Sequence, residues 1–429
     1  MYYCVSVFFA ISALSINLFS QNLGEITIYN TNNSELTYNQ INTLEFDSEN
    51  RLWIGTENGL SIFEYQNNNW ANLDSTSTPW CYLPTNTITA LEWSEDLSMM
   101  FVGTTNGIIN YSDAGGTISD ESPGPGTWYP AFGNSCYPNN SIINCLFYNN
   151  GLWAGSSDGL CVEYLGPEGD WLLQNTQTGF FSNNITSITK NLNNDVIAIG
   201  TMNGGLVTYD NEFNIYYSSN SNILDNTIFD VTFDQNNNII ITTPQAGLGV
   251  LTENGSWVWF NSINSTLTTN SLKKIIVDSN NDLWITTLEN GLIHYKDNIF
   301  YNYTIENSNL PDNKINCVTL GPNNCLWLGT DTAGLVKIDT PIMSNYDNME
   351  IYTKIFPSTF NTKINIDVLE SASAHIYNQY GLLMDKKILS AGNNYINTSN
   401  YTSGVYFIVT QSNNKKSVNK VMKPISSNF

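Results

Sequence analysis

Basic residues are scarce. Lys and Arg number 15 against 38 Asp and Glu, a formal net charge of −23, and a surface of that sign repels a phosphate backbone and an anionic membrane. No nucleic-acid partner is expected. Charged residues of both signs make up only 12% of the chain, which excludes a long charged helix or coiled coil. Histidine is limited to His294 and His375, which fall in regions of different composition, so neither a His-rich metal site nor a Ser-His-Asp triad is expected. Cysteine never occurs as a CxxC pair. Of the cysteines beyond Cys4, Cys81 and Cys136 are the best candidates for a disulfide because both lie just ahead of equivalent repeat starts; free buried thiols are the alternative. After Ser20 no run is long and apolar enough to span a bilayer.

What is present describes a folded, exported protein. Hydrophobic residues are 41% and aromatics 13% of 429 residues, enough for a large core in two or three domains. Met1–Ser20 is almost uncharged and mostly apolar before the polar Gln21-Asn22, and reads as a secretory signal peptide; a membrane anchor is the alternative. Charge is uneven. From Pro341 onward there are 8 Lys and 5 acids, net +3, whereas Met1 to Thr340 carries net −26. The expected domains are therefore 1–20 signal peptide, 21–340 main domain, 341–350 linker and 351–429 a second domain.

An internal repeat organises the main domain. An Asn-x-Ile/Leu element, a short apolar run, an Asn/Asp-rich turn, an aromatic strand and then Gly-Leu/Ile begin at Asn39, Asn86, Asn140, Asn183, Asn226, Asn270 and Asn313, with spacings of 47, 54, 43, 43, 44 and 43. The clearest copies hold Leu52-Trp53-Ile54-Gly55-Thr56, Leu152-Trp153-Ala154-Gly155-Ser156, Leu283-Trp284-Ile285-Thr286-Thr287 and Leu326-Trp327-Leu328-Gly329-Thr330. Phe101, Ala198 and Ile240 replace the Trp elsewhere. Turn residues separate four short β-prone runs per period, which predicts a four-stranded antiparallel meander per copy. One such sheet cannot bury both faces, so seven must stack around an axis with the Trp side chains between them, a seven-bladed β-propeller. The seventh copy lacks an outer strand after Ile338, and Glu25-Ile26-Thr27-Ile28-Tyr29 precedes the first. The N-terminal strand is predicted to complete blade seven.

These residues resemble the two-component-regulator propeller repeat family from Gly24 to about Thr340. In that family the repeats commonly form the extracellular sensor of hybrid histidine kinases that detect polysaccharide fragments. No spanning helix or kinase region follows the repeats in this sequence, so signalling is not carried over. From Ile351 short strands suggest a β-sandwich-like domain. Lys354-Ile355-Phe356-Pro357-Ser358-Thr359-Phe360, Ile376 to Gly381, Ser403-Gly404-Val405-Tyr406-Phe407 and Lys420-Val421-Met422-Lys423 resemble the type IX secretion C-terminal sorting domain, with Ser358-Thr359 where the family usually has Asn-Pro. The resemblance implies export across a bacterial outer membrane, contact with the type IX machinery through residues 351–429, and release or surface attachment. The fold class expected is thus all-β.

No catalytic constellation and no cofactor are expected. Strand two-to-three loops and inter-blade links open on one face of a propeller, because a meander sends alternate connections to opposite ends. The loops present Glu57, Asn58, Asn106, Asp158, Asn203, Glu289, Asn290 and Asp331; the links present Trp80, Tyr82, Tyr137, Phe180 and Phe181. Aromatic faces beside amides and carboxylates suit a sugar ring, although link aromatics also plug gaps between blades. The acidic turns at Asp47, Asp234 and Asp278 lack the glycine and distal Glu of a calcium loop and read as Asx-turns. His294 reads as a packed or half-exposed strand residue, and Ala114–Gly126 as a flexible excursion. The expected function is a secreted or cell-surface binding protein without catalysis, its ligand an extracellular polysaccharide. A glycan-degrading enzyme using Glu57, Asp158, Glu289 or Asp331, and a scaffold or adhesin for a protein partner, are the alternatives.

Overall fold

Short runs of β-branched and aromatic residues between Asn- and Gly-rich turns fold into small antiparallel sheets. The computed structural model describes residues 23–76, 83–112, 127–129, 141–163, 171–180, 182–339, 353–357, 359–369, 371–378, 383–412 and 415–424. The expected signal peptide, the expected excursion at Ala114–Gly126 and the expected linker at 341–350 lie outside these residues. The chain divides into two compact units, Met1–Ile342 and Met343–Phe429.

The first unit holds seven four-stranded sheets, blades 1 to 7. Blade 1 comprises Ile41–Phe46, Leu52–Thr56, Gly59–Glu64 and Asn69–Leu73, in spatial as well as chain order. Blades 2 to 6 repeat this meander, opening with Ile88–Ser94, Ile143–Tyr148, Ile185–Lys190, Asp230–Phe233 and Leu272–Val277. Blade 7 has Ile315–Leu320, Leu326–Thr330 and Leu335–Asp339, and its outer strand is Glu25–Tyr29 from the other end of the domain. That strand runs antiparallel to Leu335–Asp339, with Glu25 facing Asp339 and Tyr29 facing Leu335. Each opening strand contacts the next, and that of blade 7 contacts that of blade 1, so the ring is closed.

Burial follows the interfaces. Seven hydrophobic clusters sit one per blade junction, including Leu36, Ile41, Leu44, Leu52 and Phe63 of blade 1 against Cys317, Cys325, Trp327 and Leu335 of blade 7. The repeat tryptophans are buried there: Trp53 and Trp153 lie beside Tyr111 and Tyr209 of the following blades. Phe101 stacks on Tyr148 of the next blade at 5.8 Å, showing how a degenerate copy fills the same role. The recurrent glycine has a steric cause. A Cβ on Gly55 would stand 2.5 Å from Thr43 Cγ2 and 2.6 Å from Ile88 Cγ2. Gly103, Gly155, Gly200 and Gly329 meet Ile143, Ile185, Ile228 and Ile41 in the same manner. At these five junctions the isoleucine leading into a blade therefore keys into the glycine of the blade before it.

The recurrent asparagine fixes the link that precedes it. Its side-chain oxygen accepts a backbone N–H from that link, as Asn39 does from Thr31 at 2.9 Å, Asn226 from Ser218 at 2.9 Å and Asn313 from Ile305 at 3.0 Å. The acidic turns are Asx-turns. Asp47 accepts the N–H groups of Glu49 and Arg51, Asp234 those of Asn236 and Asn238, and Asp278 those of Asn280 and Asp282. Cys161 is disulfide-bonded, while Cys145, Cys317 and Cys325 are free. Cys81 and Cys136 lie outside the described residues.

The second unit is a two-sheet sandwich. Thr353–Phe356, Lys363–Val368 and Gly392–Asn397 form one sheet; Leu383–Leu389, Ala372–Asn378, Gly404–Ser412 and Lys415–Lys423 form the other. Ile364, Ile366 and Ile396 from the first pack with Ala374, Ile376, Tyr406 and Ile408 from the second.

Candidate functional site

Bulges at the start of the opening strands shape the centre of the ring. Pairing with the second strand shifts between Ile41 and Thr43, Ile88 and Ala90, Ile143 and Cys145, Ile185 and Ser187, and Ile315 and Cys317. A bulge leaves one residue out of the ladder and re-aims its side chain. The bulged residues link blades: the Asn42 amide donates to the Ile88 carbonyl at 3.0 Å, the Asn144 amide to the Ile185 carbonyl at 2.8 Å, and the Thr186 hydroxyl to the Ile228 carbonyl at 2.6 Å.

Within this girdle lies an axial cavity of about 210 Å³, walled by opening strands from all seven blades. Its polar groups include Asn42, Glu45, Thr89, Ser187, Asp230 and Lys274. The Lys274 ammonium is 3.4 Å from Asp230, and burial, which alone would lower its pKa, is outweighed by that carboxylate, so the pKa is raised. Blades 5 and 6 differ from the others here, with Thr242 and Thr286 in place of the glycine. Thr242 Oγ1 donates to the Lys273 carbonyl at 2.8 Å, and Thr286 Oγ1 accepts the Lys274 N–H at 3.0 Å. On the other side, burial pushes the Glu45 carboxyl up to about 8. Glu92, at the same position of the next blade, is raised by burial and then by the charge of Glu45, and accepts the Tyr148 N–H at 2.9 Å. Burial also holds the Cys145 and Cys317 thiols at about 12, protonated and inert. Two hydroxyls of the wall, Thr89 Oγ1 and Ser187 Oγ, are buried without a hydrogen-bond partner.

The loops expected to share a rim do so. In six blades the first residue after strand two donates its N–H to the segment entering the same blade, as Glu57 does to the Gln40 carbonyl at 3.1 Å and Asp331 to that of Lys314 at 3.0 Å. Much of this rim is spent on bracing. Glu57 accepts the Asn42 amide at 3.1 Å and the Thr87 hydroxyl at 3.4 Å. Asn58 accepts the Asn86 amide at 3.0 Å, Asn203 the Thr227 hydroxyl at 2.9 Å, and Asp158 the Ser141 hydroxyl at 2.7 Å. The backbone N–H of Asn106 donates to Thr104 Oγ1, and Asp331 stands 4.0 Å from Lys314. Glu289 and Asn290 are exposed.

Phe180 requires a correction. It is 5% exposed, packed between blades 3 and 4 and edge-on to Phe213 at 5.5 Å, so it plugs a junction and offers no face to a ligand. Trp80, Tyr82, Tyr137 and Phe181 lie outside the described residues. Among the described residues, the exposed large apolar side chains of this face include Tyr38, Ile142, Leu224, Ile263, Leu288 and Ile305. Glu45, Glu92, Asp230 and Lys274 were not singled out from the sequence. Their signal was positional: Glu45 and Glu92 share one offset from Asn39 and Asn86, and Asp230 and Lys274 share another from Asn226 and Asn270.

A second cluster lies in blade 6, where ligand atoms of Asp278, Asp282 and His294 converge within 4.8 Å. His294 lies flat on Trp284 at 3.9 Å, and burial, opposed by Asp282, lowers its pKa. Asp282 meets His294 at 3.3 Å and Lys296 at 3.4 Å, while Asp278 accepts the Trp284 indole N–H at 3.2 Å. With a cation and two donors already supplied, the cluster braces the strands of its blade.

Comparison with known families agrees with this geometry. A Two component regulator propeller model matches residues 35–58 and 309–332, and a Secretion system C-terminal sorting domain model matches residues 354–424. The chain carries regulator propeller repeats and a type IX sorting domain. The sorting domain directs secretion to the cell surface, and among the described residues no helix is long and apolar enough to cross a membrane. No curated protein matches the chain.

Among solved structures, the chain is similar to the extracellular domain of BT3049 from B. thetaiotaomicron, described as a hybrid two component system, with TM-score 0.60 and 16% identity over 94% of this chain and 58% of that one. PorZ, described as an essential surface component of the type-IX secretion system of Porphyromonas gingivalis, gives TM-score 0.52 and 15% identity over 91% of this chain and 60% of that one. The chain thus spans about three fifths of these two structures. A chain of the Mitotic Checkpoint Complex gives TM-score 0.52 at 13% identity, over 78% of this chain and 99% of that one. At such identities the likeness is one of fold, and one frame serves unrelated tasks.

Proposed function

We propose that the protein is a non-catalytic binding protein of the bacterial cell surface whose propeller holds an extracellular glycan on its loop face. The observation that carries the reading is the placement of amide, carboxylate and hydroxyl groups in one circle on a closed ring, in a chain that a sorting domain sends to the surface. A rigid frame with polar groups at fixed spacing is what recognition of hydroxyls needs, because little ordering entropy is lost on binding. The carboxylates of the face serve as hydrogen-bond acceptors. Glu57 and Asp158 are held by neighbouring donors, the Asn42 amide and the Ser141 hydroxyl.

Binding of the full chain to a glycan array, with polysaccharide size measured in parallel, tests the reading. Retention of glycans with no shortening supports it; release of products makes the protein an enzyme; binding of no glycan removes it.

One observation favours a protein partner instead. Leu224, Ile263, Leu288 and Ile305 are 60%, 93%, 37% and 51% exposed on links and loops from blade 4 to blade 7, and exposed aliphatic side chains suit a protein partner more than a sugar. Loss of a saturable protein interaction in Ile263→Ser/Ile305→Ser, with glycan binding absent, would select that reading.

A further inference from the structure

We propose that the loop face from blade 5 to blade 7 takes a sugar carboxylate, a uronic acid carried on an otherwise neutral glycan chain, with Lys273 as its counter-ion; this deepens the glycan reading above and rests on it. The charges of the propeller single out that residue. Met1 to Thr340 carries seven basic and 33 acidic residues, so carboxylates are plentiful for every cation. Six cations have one: Arg51 meets Asp47, Lys190 Asp195, Lys274 Asp230, Lys296 Asp282, Lys314 Asp331 and Lys337 Asp339, at 2.6 to 4.0 Å. Among the described residues Lys273 alone of the seven has no carboxylate within 4.0 Å, and its ammonium donates to the neutral Asn316 Oδ1 at 2.7 Å. Burial is the main cause that lowers its pKa, and the like charge of Lys274 lowers it further. A half-buried cation in that state is stabilised by an anion brought to it.

The repeat builds the position. The residue after the isoleucine or leucine that leads into a blade is Asn in blades 1, 3 and 7, Thr in blades 2 and 4, Phe229 in blade 5 and Lys273 in blade 6. Asn42, Asn144 and Thr186 each donate from this position to a carbonyl of the next blade. Lys273 reaches Asn316 of the next blade in the same way, and an ammonium has two further donors. Phe229 is half-buried, and among the described residues it joins none of the clusters at the flanking junctions. Thr242 bridges the two positions: its carbonyl accepts the Phe229 N–H at 2.9 Å and its hydroxyl donates to the Lys273 carbonyl at 2.8 Å. A second cation, Lys314, stands two residues before Asn316 with its side chain 51% exposed. An aromatic ring, an amide and two ammonium groups on three successive blades supply stacking for a sugar ring and counter-charge for its carboxylate.

Net charge limits the guest. A propeller of net −26 repels a polymer charged at every sugar, and salt at physiological strength screens that repulsion only beyond about 8 Å. A lone carboxylate on a neutral chain meets the local ammonium with far less of this repulsion.

The test applies the full chain to an array of glycans in matched pairs, uronate-bearing and carboxyl-reduced, with oligogalacturonate alongside, and titrates the retained sugars by calorimetry. Uronate-bearing members bind about tenfold or more tightly than their reduced partners, as a hydrogen bond to a charged group does, and oligogalacturonate binds less well than a singly charged chain. Lys273→Gln removes the preference and Lys273→Arg keeps it. Lys190→Gln, which loses a lysine paired with Asp195 at the far end of Ile185–Lys190, keeps it too. The unliganded thermal midpoint of Lys273→Gln stays level or rises, because a half-buried cation without a counter-ion is removed; a marked fall makes Lys273 a brace for Asn316 and overturns the proposal. Equal binding of the two members of each pair, strongest binding of oligogalacturonate, or a Lys273→Gln/Phe229→Ala variant that binds as the parent does also overturns it and spares the glycan reading. Binding of no glycan overturns both.

Discussion

Lys274 of blade 6 and Asp230 of blade 5 form an ion pair at 3.4 Å inside the ring, and the same carboxylate accepts the Ile275 N–H at 2.9 Å. The pair crosses a junction where the repeat glycine has become threonine. Removing the cation leaves a desolvated carboxylate, at a cost of about 3 kcal/mol. Lys274→Met is expected to lower the urea midpoint accordingly, and Asp230→Asn/Lys274→Met to recover most of the loss. A double variant no better than the single one would show that packing, not charge, is what Lys274 supplies.

Glu45 gives the protein a pH dependence of defined sign. Its carboxyl titrates at about 8 in the fold against an ordinary value of 4.5. Between those values the native state binds a proton that the unfolded chain has released, so unfolding free energy falls as pH rises through that window and flattens above it. Thermal midpoints measured from pH 5 to 9 should decline in the parent. Glu45→Gln, which cannot ionise, should show a shallower decline and be the more stable protein at pH 8.

Tyr29 ties the sealing strand to both of its neighbours. Its ring lies beside Trp327 of blade 7 at 6.1 Å and meets Phe63 of blade 1 edge-on at 4.9 Å. Tyr29→Ala should destabilise the propeller by about 3 kcal/mol, the usual range for deleting a packed aromatic ring. A chemical-denaturation shift below a third of that would mean that the strand contributes little to closure.

The glycine key is open to a minimal perturbation. Gly55→Ala places a methyl 2.5 Å from Thr43 Cγ2 and 2.6 Å from Ile88 Cγ2, an overpacked contact worth about 1–3 kcal/mol. An unchanged midpoint would refute the keying of Ile88 into blade 1.

The frame was legible in the sequence because every junction makes the same demand. Ile41, Gly55, Trp53 and their counterparts recur since each blade must fit the next, and the missing outer strand after Ile338 pointed to Glu25–Tyr29. The site was less legible. Whether Phe180 faces solvent depends on Phe213 of the next blade, and no spacing in the chain reports that. Nor does Glu45 differ locally from an exposed strand acid; its burial arises only when seven opening strands gather around an axis. Asp230 and Lys274 become partners for the same reason, across a distance in sequence that a single repeat cannot reveal.

Sealing the disc with its earliest strand means that the ring closes only when the last blade has been made. A product that ends before Leu335–Asp339 loses the partner of Glu25–Tyr29 as well as part of one sheet, and exposes raw edges ready to pair with other chains. Only a finished chain satisfies its own first strand.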